Sequence, residues 1–126
     1  MNWKNNKVLV TGGASFIGSH LTEQLIELGA KVRIADNFSS GEKSHVKSLD
    51  CEILEGDLLN PGFCNQVTDG IETVFHLAAD HGGRGYIDAH QVECSTNMIL
   101  DGQVFRHAHQ NGVEKIIFAS SGCVYP

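Results

Sequence analysis

The chain has 126 residues, of which 41% are hydrophobic and 19% charged, with a formal net charge of −6. That is enough for one packed domain and too apolar for a disordered tail, and with no basic block it excludes a general nucleic-acid surface. No apolar run is long enough to cross a bilayer, and Val8-Leu9-Val10 behind the basic start is too short for a secretory signal. The expected protein therefore works in the cytoplasm, without membrane or nucleic-acid partners.

Lys7–Thr11 reads as a strand, ended by Gly12-Gly13. From Ser15 to about Leu28 the spacing becomes helical, with Phe16, Ile17, Leu21, Leu25 and Leu28 forming the apolar face and Ser19, Glu23, Gln24 and Glu27 outside it. Gly29 stops that helix from the position after its cap. Lys31–Asp36 is a second strand, followed by a polar stretch to Asp50 with a turn at Ser39-Ser40-Gly41. Cys51–Glu55 is a third strand, left at Gly56-Asp57. Pro61 suits the first turn of a short helix ending near Asp69-Gly70. Thr73–Leu77 is the fourth strand, followed by a Gly-rich segment from Asp80 to Gly85. One long helix is predicted from His90 to Gln110, closed by Asn111-Gly112, and Lys115–Ala119 is a fifth strand leading into Ser120-Ser121-Gly122.

Strands alternating with helices imply parallel βαβ units with right-handed crossovers, hence an α/β, Rossmann-like three-layer αβα fold around a parallel sheet of about five strands. The four cysteines (Cys51, Cys64, Cys94, Cys123) show no C-x-x-C pair, so neither a zinc knuckle nor a redox pair is indicated. His107 and His109, two apart on a helix, point to different faces, so no metal site is expected. His76 is expected to pack at the end of its strand.

Gly12 and Gly18 stand directly after a strand and inside the opening of a helix. There Gly12 permits the tight turn, Gly18 permits close approach of helix to sheet, and the first-turn N–H groups face a pyrophosphate. Asp36, 18 residues after Gly18, is placed to accept hydrogen bonds from ribose hydroxyls and to repel the extra phosphate of NADP, so NAD is the expected cofactor. Arg33 lies on the opposite face of that strand. Asp57 reads either as an acceptor for an adenine amino group, with Leu58 packing on the ring, or as an ordinary turn aspartate. After the fourth strand, Leu77-Ala78-Ala79 supplies small side chains that let backbone approach a cofactor.

Taken together, these residues resemble the extended short-chain dehydrogenase/reductase family, the NAD-dependent epimerases and dehydratases. The matching pieces are Thr11-Gly-Gly-Ala-Ser-Phe-Ile-Gly18, Asp36-Asn37-Phe-Ser-Ser-Gly41, Gly56-Asp57-Leu58, His76-Leu-Ala-Ala79, Asn97 and Ser120-Ser-Gly-Cys-Val-Tyr-Pro126. The resemblance implies hydride transfer on a nucleotide-linked sugar, with NAD held by Gly12, Ser15, Phe16, Ile17, Gly18, Asp36, Asn37, Asp57, Leu58, Leu77, Ala78, Ala79 and Asn97. In the family's Gly-x-x-Gly-x-x-Gly loop the middle glycine is Ser15 here, whose Cβ and hydroxyl either crowd the pyrophosphate or hydrogen-bond to it.

Ala78-Ala-Asp-His-Gly-Gly-Arg-Gly-Tyr-Ile87 and the Ser121-x-Cys123 spacing are similar to the branch containing GDP-mannose 3,5-epimerases and GDP-fucose synthases. That likeness implies a GDP-linked sugar as substrate, with Ser121 on the reacting oxygen and Cys123 exchanging a proton beside the ketone. It also implies that Gly82, Gly83 and Arg84 belong to a loop over the sugar. C4 epimerases and dehydratases of UDP- or dTDP-sugars share most of these features, and a non-catalytic dinucleotide-binding module is the alternative of another class. The family's catalytic tyrosine is followed four residues later by a lysine, and neither Tyr86 nor Tyr125 begins such a pair. The expectation is therefore that residues 1–126 are the N-terminal portion of an NAD(P)-binding domain from a longer enzyme, whose later strands and sugar-binding domain lie elsewhere. The family's homodimers form through two helices, one corresponding to the region His90 to Gln110.

Overall fold

The computed structural model describes residues 2–121. Five parallel strands, β1 (Lys7–Thr11), β2 (Lys31–Asp36), β3 (Glu52–Glu55), β4 (Thr73–His76) and β5 (Lys115–Phe118), form one sheet in the order β3-β2-β1-β4-β5. The helices are α1 (Phe16–Glu27), α2 (Pro61–Thr68), α3 (Arg84–Ala89), α4 (Gln91–Ser95) and α5 (Asn97–Gln110), with a 3-10 turn at Lys43–His45. This is the Rossmann-like three-layer architecture expected from the sequence. Strand ends at Leu77 and Ala119 shift by one residue, within ordinary fraying.

Alternation along β1 builds the two halves of the core. Val8 and Val10 point to one face, where they pack with Leu25 of α1, Val32, Ile34 and Val46. Leu9 points to the other face and joins Ala35, Val74, Cys64 and Val67 of α2, and Val104 and Ala108 of α5. Leu9 and Ile34 are fully buried, each worth about 1.5–3 kcal/mol relative to exposure. β5 is an edge strand among the described residues, and Ile116, Ile117 and Phe118 stay partly exposed.

The structure corrects two features expected from the sequence. The buried stripe of α1 is Gly18, Ser19, Thr22 and Leu25, while Phe16 (74%), Ile17 (69%) and Leu28 (57%) are exposed. Small residues face the sheet because the helix starts almost in contact with the loop after β1: a Cβ on Gly18 would lie 2.2 Å from the Gly12 carbonyl oxygen. Phe16 instead lies against the His20 ring, with centroids 4.7 Å apart. The long helix predicted from His90 to Gln110 is two helices, α4 and α5, broken at Thr96, and α3 precedes them, starting at the end of the Gly-rich segment. The break sits beside Asn97, whose side-chain amide is committed to the backbone of Asp80: Oδ1 accepts from its N–H at 2.7 Å and Nδ2 donates to its carbonyl at 2.8 Å. No helix among the described residues is long and apolar enough to cross a membrane.

Candidate functional site

The order β3-β2-β1-β4-β5 reverses direction between β1 and β4, and ligands of open parallel sheets bind outside the strand carboxyl ends at such a point. A cleft of about 460 Å³ lies there, lined by Gly12 and Ser15 after β1, Asp36 and Asn37 at the end of β2, Gly56 to Leu59 after β3, and Leu77 to His81 after β4. Tyr86, Thr96 and Leu100 complete it from the helical side.

At the floor, Gly12 has φ +68, and a Cβ there would lie 3.1 Å from the Ala78 backbone, so the loops after β1 and β4 pack backbone to backbone. Ser15 is the N-cap of α1. Its extended backbone (φ −69, ψ 170) accommodates a side chain without strain, and its hydroxyl accepts from Gly18 N–H at 3.1 Å and donates to the Gly12 carbonyl at 2.7 Å. The N–H groups of Phe16 and Ile17, the first two of the helix, make no hydrogen bond among the described residues. They remain as donors for an anion, assisted by the helix dipole.

Asp36 is 8% exposed, and each carboxylate oxygen accepts one backbone N–H: Oδ2 from Ala14 at 2.9 Å, Oδ1 from Phe38 at 2.8 Å. Each oxygen keeps a further lone pair for a hydroxyl donor. Phe38 holds this contact at φ 54, an uncommon conformation for an aromatic residue, costing about 1–2 kcal/mol. Arg33 is not part of the cleft. Its guanidinium pairs with Glu52 at 2.6 Å and donates to the carbonyls of Val67 and Asp69 at 2.9 Å, capping the C-terminal end of α2.

Asp57 lines the cleft, and its Oδ1 accepts from Leu59 N–H at 2.8 Å, closing the turn after β3. Leu58 reaches the cleft wall but is 5% exposed, with its bulk in the core. Ala78 and Ala79 line the β4 side, whereas Asn97 stands behind that wall and fixes Asp80.

Gly83 is the residue before α3, and Arg84 opens that helix with its side chain 94% exposed. Gly82 lies beneath Tyr86, since a Cβ there would meet the Tyr86 ring at 2.6 Å. Ser121 is the last described residue, just beyond β5, and Cys123 lies outside the described residues.

Two elements of the site went unread in the sequence. Tyr86 donates its hydroxyl to Asp80 Oδ1 at 2.8 Å and stacks on His90 at 4.2 Å. The carboxylate acceptor holds the phenol proton more tightly than usual, so Tyr86 serves as a wall and donor rather than a base. Beneath the wall, Asp101 of α5 lies 3.0 Å from His76 Nε2. A lone aspartate inside a helical pattern gives no signal of that partner, 25 residues away.

Residues 8–126 match the model of the NAD dependent epimerase/dehydratase family. The chain is 35% identical over 124 residues to GDP-mannose 3,5-epimerase of Arabidopsis thaliana, covering 98% of this chain and 33% of that protein. It is equally 35% identical over 122 residues to UDP-N-acetyl-alpha-D-glucosaminuronate decarboxylase of Bacillus cytotoxicus, covering 94% of this chain and 37% of that one. Among solved structures, UDP-glucose 4-epimerase from Brucella ovis, in complex with NAD, superposes with a TM-score of 0.87 at 28% identity, covering 95% of this chain and 37% of that chain. The chain thus spans about a third of the length of the curated relatives it matches. Relatives with different reactions are equally similar, so the likeness to the GDP-sugar branch narrows no further than the family.

Proposed function

Because the chain belongs to the NAD dependent epimerase/dehydratase family, we propose that it is the NAD-holding part of an enzyme that remodels a nucleotide-linked sugar. The observation that carries this reading is the paired arrangement at the switch point: a buried Asp36 carboxylate with lone pairs to spare, beside a helix N-terminus whose Phe16 and Ile17 N–H groups have no partner among the described residues. The residues fit a dinucleotide. The Gly12–Ala78 contact leaves no side chain between the strands at that point, and the cleft volume is in the range of small-ligand sites. Asp36 disfavours a 2′-phosphate, and Arg33 is engaged elsewhere, so the reading is NAD rather than NADP.

When bound, NAD supplies the hydride acceptor and donor for a sugar carbon. Gly12, Phe16 and Ile17 hold the pyrophosphate, Asp36 and Asn37 the adenosine ribose, and Asp57 the adenine. Ala78 and Ala79 provide the backbone along the other half. Ser121 holds the sugar oxygen at the reacting carbon. A ketone at C4 acidifies the hydrogens at C3 and C5, and the Cys123 thiol, with a reference pKa of about 8.5, exchanges one of them when its surroundings favour the thiolate. In this reading the reaction is a 3,5-epimerisation of a GDP-linked sugar. A second copy docks on the outer face of α4 and α5, where Val92 (76%), Met98 (76%) and Ile99 (57%) are exposed.

The full-length protein incubated with NAD and GDP-mannose in D₂O tests this by NMR. Deuterium at C3 and C5 is expected. Inversion at C4 without deuterium would move the reading to a C4 epimerase. No turnover of GDP-, UDP- or dTDP-sugars would overturn it.

A further inference from the structure

His76 is 1% exposed at the end of β4 and makes none of the cofactor or sugar contacts proposed for the cleft. Its surroundings decide its protonation. Thr11 Oγ1 accepts N–H groups from both Leu77 and Ala78, each at 3.1 Å, the Leu77 N–H also reaching the Thr11 carbonyl at 3.3 Å. Both hydroxyl lone pairs are then used, and the single hydroxyl hydrogen goes to His76 Nδ1 at 2.7 Å. Nδ1 therefore carries no proton, and Nε2 carries one that it donates to Asp101 Oδ1 at 3.0 Å. Phe105 of α5 and Phe118 of β5 close the remaining sides of the ring, and Asp101 is the charged group facing it among the described residues.

The geometry points to His76 as a positioning residue: through Thr11, its neutral imidazole holds the Leu77–Ala78 turn in the conformation that walls the dinucleotide cleft. This inference rests on the reading of that cleft as an NAD site. A proton on Nδ1 would face the Thr11 hydroxyl donor to donor. Thr11 could then accept from the ring only by giving up one of these N–H groups: Leu77 keeps the Thr11 carbonyl as an acceptor, whereas Ala78, whose backbone would lie 3.1 Å from a Cβ on Gly12, has only the hydroxyl. Burial lowers the proton affinity of the ring below the ordinary imidazole range, against the opposing pull of the Asp101 carboxylate, so the neutral form is kept at neutral pH and lost in acid.

The test is NAD affinity against pH in the full-length protein, wild type and His76→Asn, with ¹⁵N NMR of the imidazole in the ligand-free state. The asparagine amide oxygen can still accept from Thr11 but does not titrate. Wild type should show the Nε2–H tautomer at neutral pH, and its NAD affinity should fall about tenfold in acid as His76 protonates. His76→Asn should bind within a few-fold of wild type at neutral pH and lack that acid step. Thr11→Val, which spares the ring, provides the second arm and should lose about tenfold at neutral pH with a native circular dichroism spectrum. A proton on Nδ1 at neutral pH, the same acid step in His76→Asn, or wild-type affinity in Thr11→Val would overturn the proposal alone. No NAD binding by wild type at any pH would overturn the cofactor reading and the positioning role with it.

Discussion

Replacing Gly18 by alanine sets two magnitudes against each other. In a helix interior the change normally gains about 1 kcal/mol, because alanine loses less backbone freedom. In α1 the new Cβ would lie 2.2 Å from the Gly12 carbonyl oxygen, 2.8 Å from Gly13 Cα and 2.9 Å from the Gly12 carbonyl carbon, all of them backbone. The carbonyl must retreat by about 1 Å to reach ordinary contact. It accepts from both the N–H and the hydroxyl of Ser15, at 3.1 and 2.7 Å, so retreat also weakens the closure of the loop. Overpacking of about 1–3 kcal/mol plus about 1 kcal/mol for a weakened hydrogen bond exceeds the propensity gain, for a net loss of about 1–3 kcal/mol. Gly102 of α5 provides the control, since a Cβ there meets nothing within 4 Å. Gly102→Ala should therefore gain about 0.5–1 kcal/mol. Urea denaturation of both variants reads the opposite signs, and an NAD titration should show weakened binding in Gly18→Ala alone. A Gly18→Ala midpoint at or above wild type would refute the close-approach argument.

Three further outcomes follow from particular side chains. The Thr22 hydroxyl is buried without a hydrogen-bond partner among the described residues, so Thr22→Val should raise stability by about 1 kcal/mol, and a lower melting temperature would show a partner that the geometry lacks. Ser15→Ala should cost about 1 kcal/mol by losing the N-cap, against a few tenths for Ser15→Gly; equal losses in thermal melts would contradict the capping role. Burial, followed by the nearby Asp57 charge, pushes the Cys64 thiol up to about 11, and its Sγ donates to the Leu58 carbonyl at 3.0 Å. Because a raised value keeps the thiol protonated, native protein at pH 8 should leave Cys64 unlabelled by iodoacetamide in peptide mass spectrometry, with labelling only after denaturation. Labelling of the native thiol at that pH would show that the site opens.

The local signals carried the sheet well. Val8-Leu9-Val10 between a basic start and two glycines, and the alternation in Lys31–Asp36, leave few readings other than adjacent parallel strands, and β1 and β2 fall on the expected residues. Periodicity failed where tertiary contact decides. The apolar count in α1 favoured Phe16 and Ile17, but the helix meets the sheet through Gly18, Ser19 and Thr22, because proximity to Gly12 admits only small residues. Residues 90–110 carry a helical pattern without proline, and nothing local announces the break at Thr96 next to Asn97, whose amide is bound 17 positions upstream. That residues after strand ends, such as Asp36, Asp57 and Ala78, would line one cleft was readable because topology brings strand ends together. Asp101 was not, since its partner is fixed only by how α5 crosses β4.

Isothermal titration of NAD and NADP into the full-length protein tests the cofactor cleft most directly. With Asp36 buried at the proposed ribose position and Arg33 committed to Glu52 and the end of α2, NAD should bind at least about tenfold more tightly than NADP, and Asp36→Ala should erase most of that difference. Tighter binding of NADP, or no binding of either dinucleotide, would contradict the assignment.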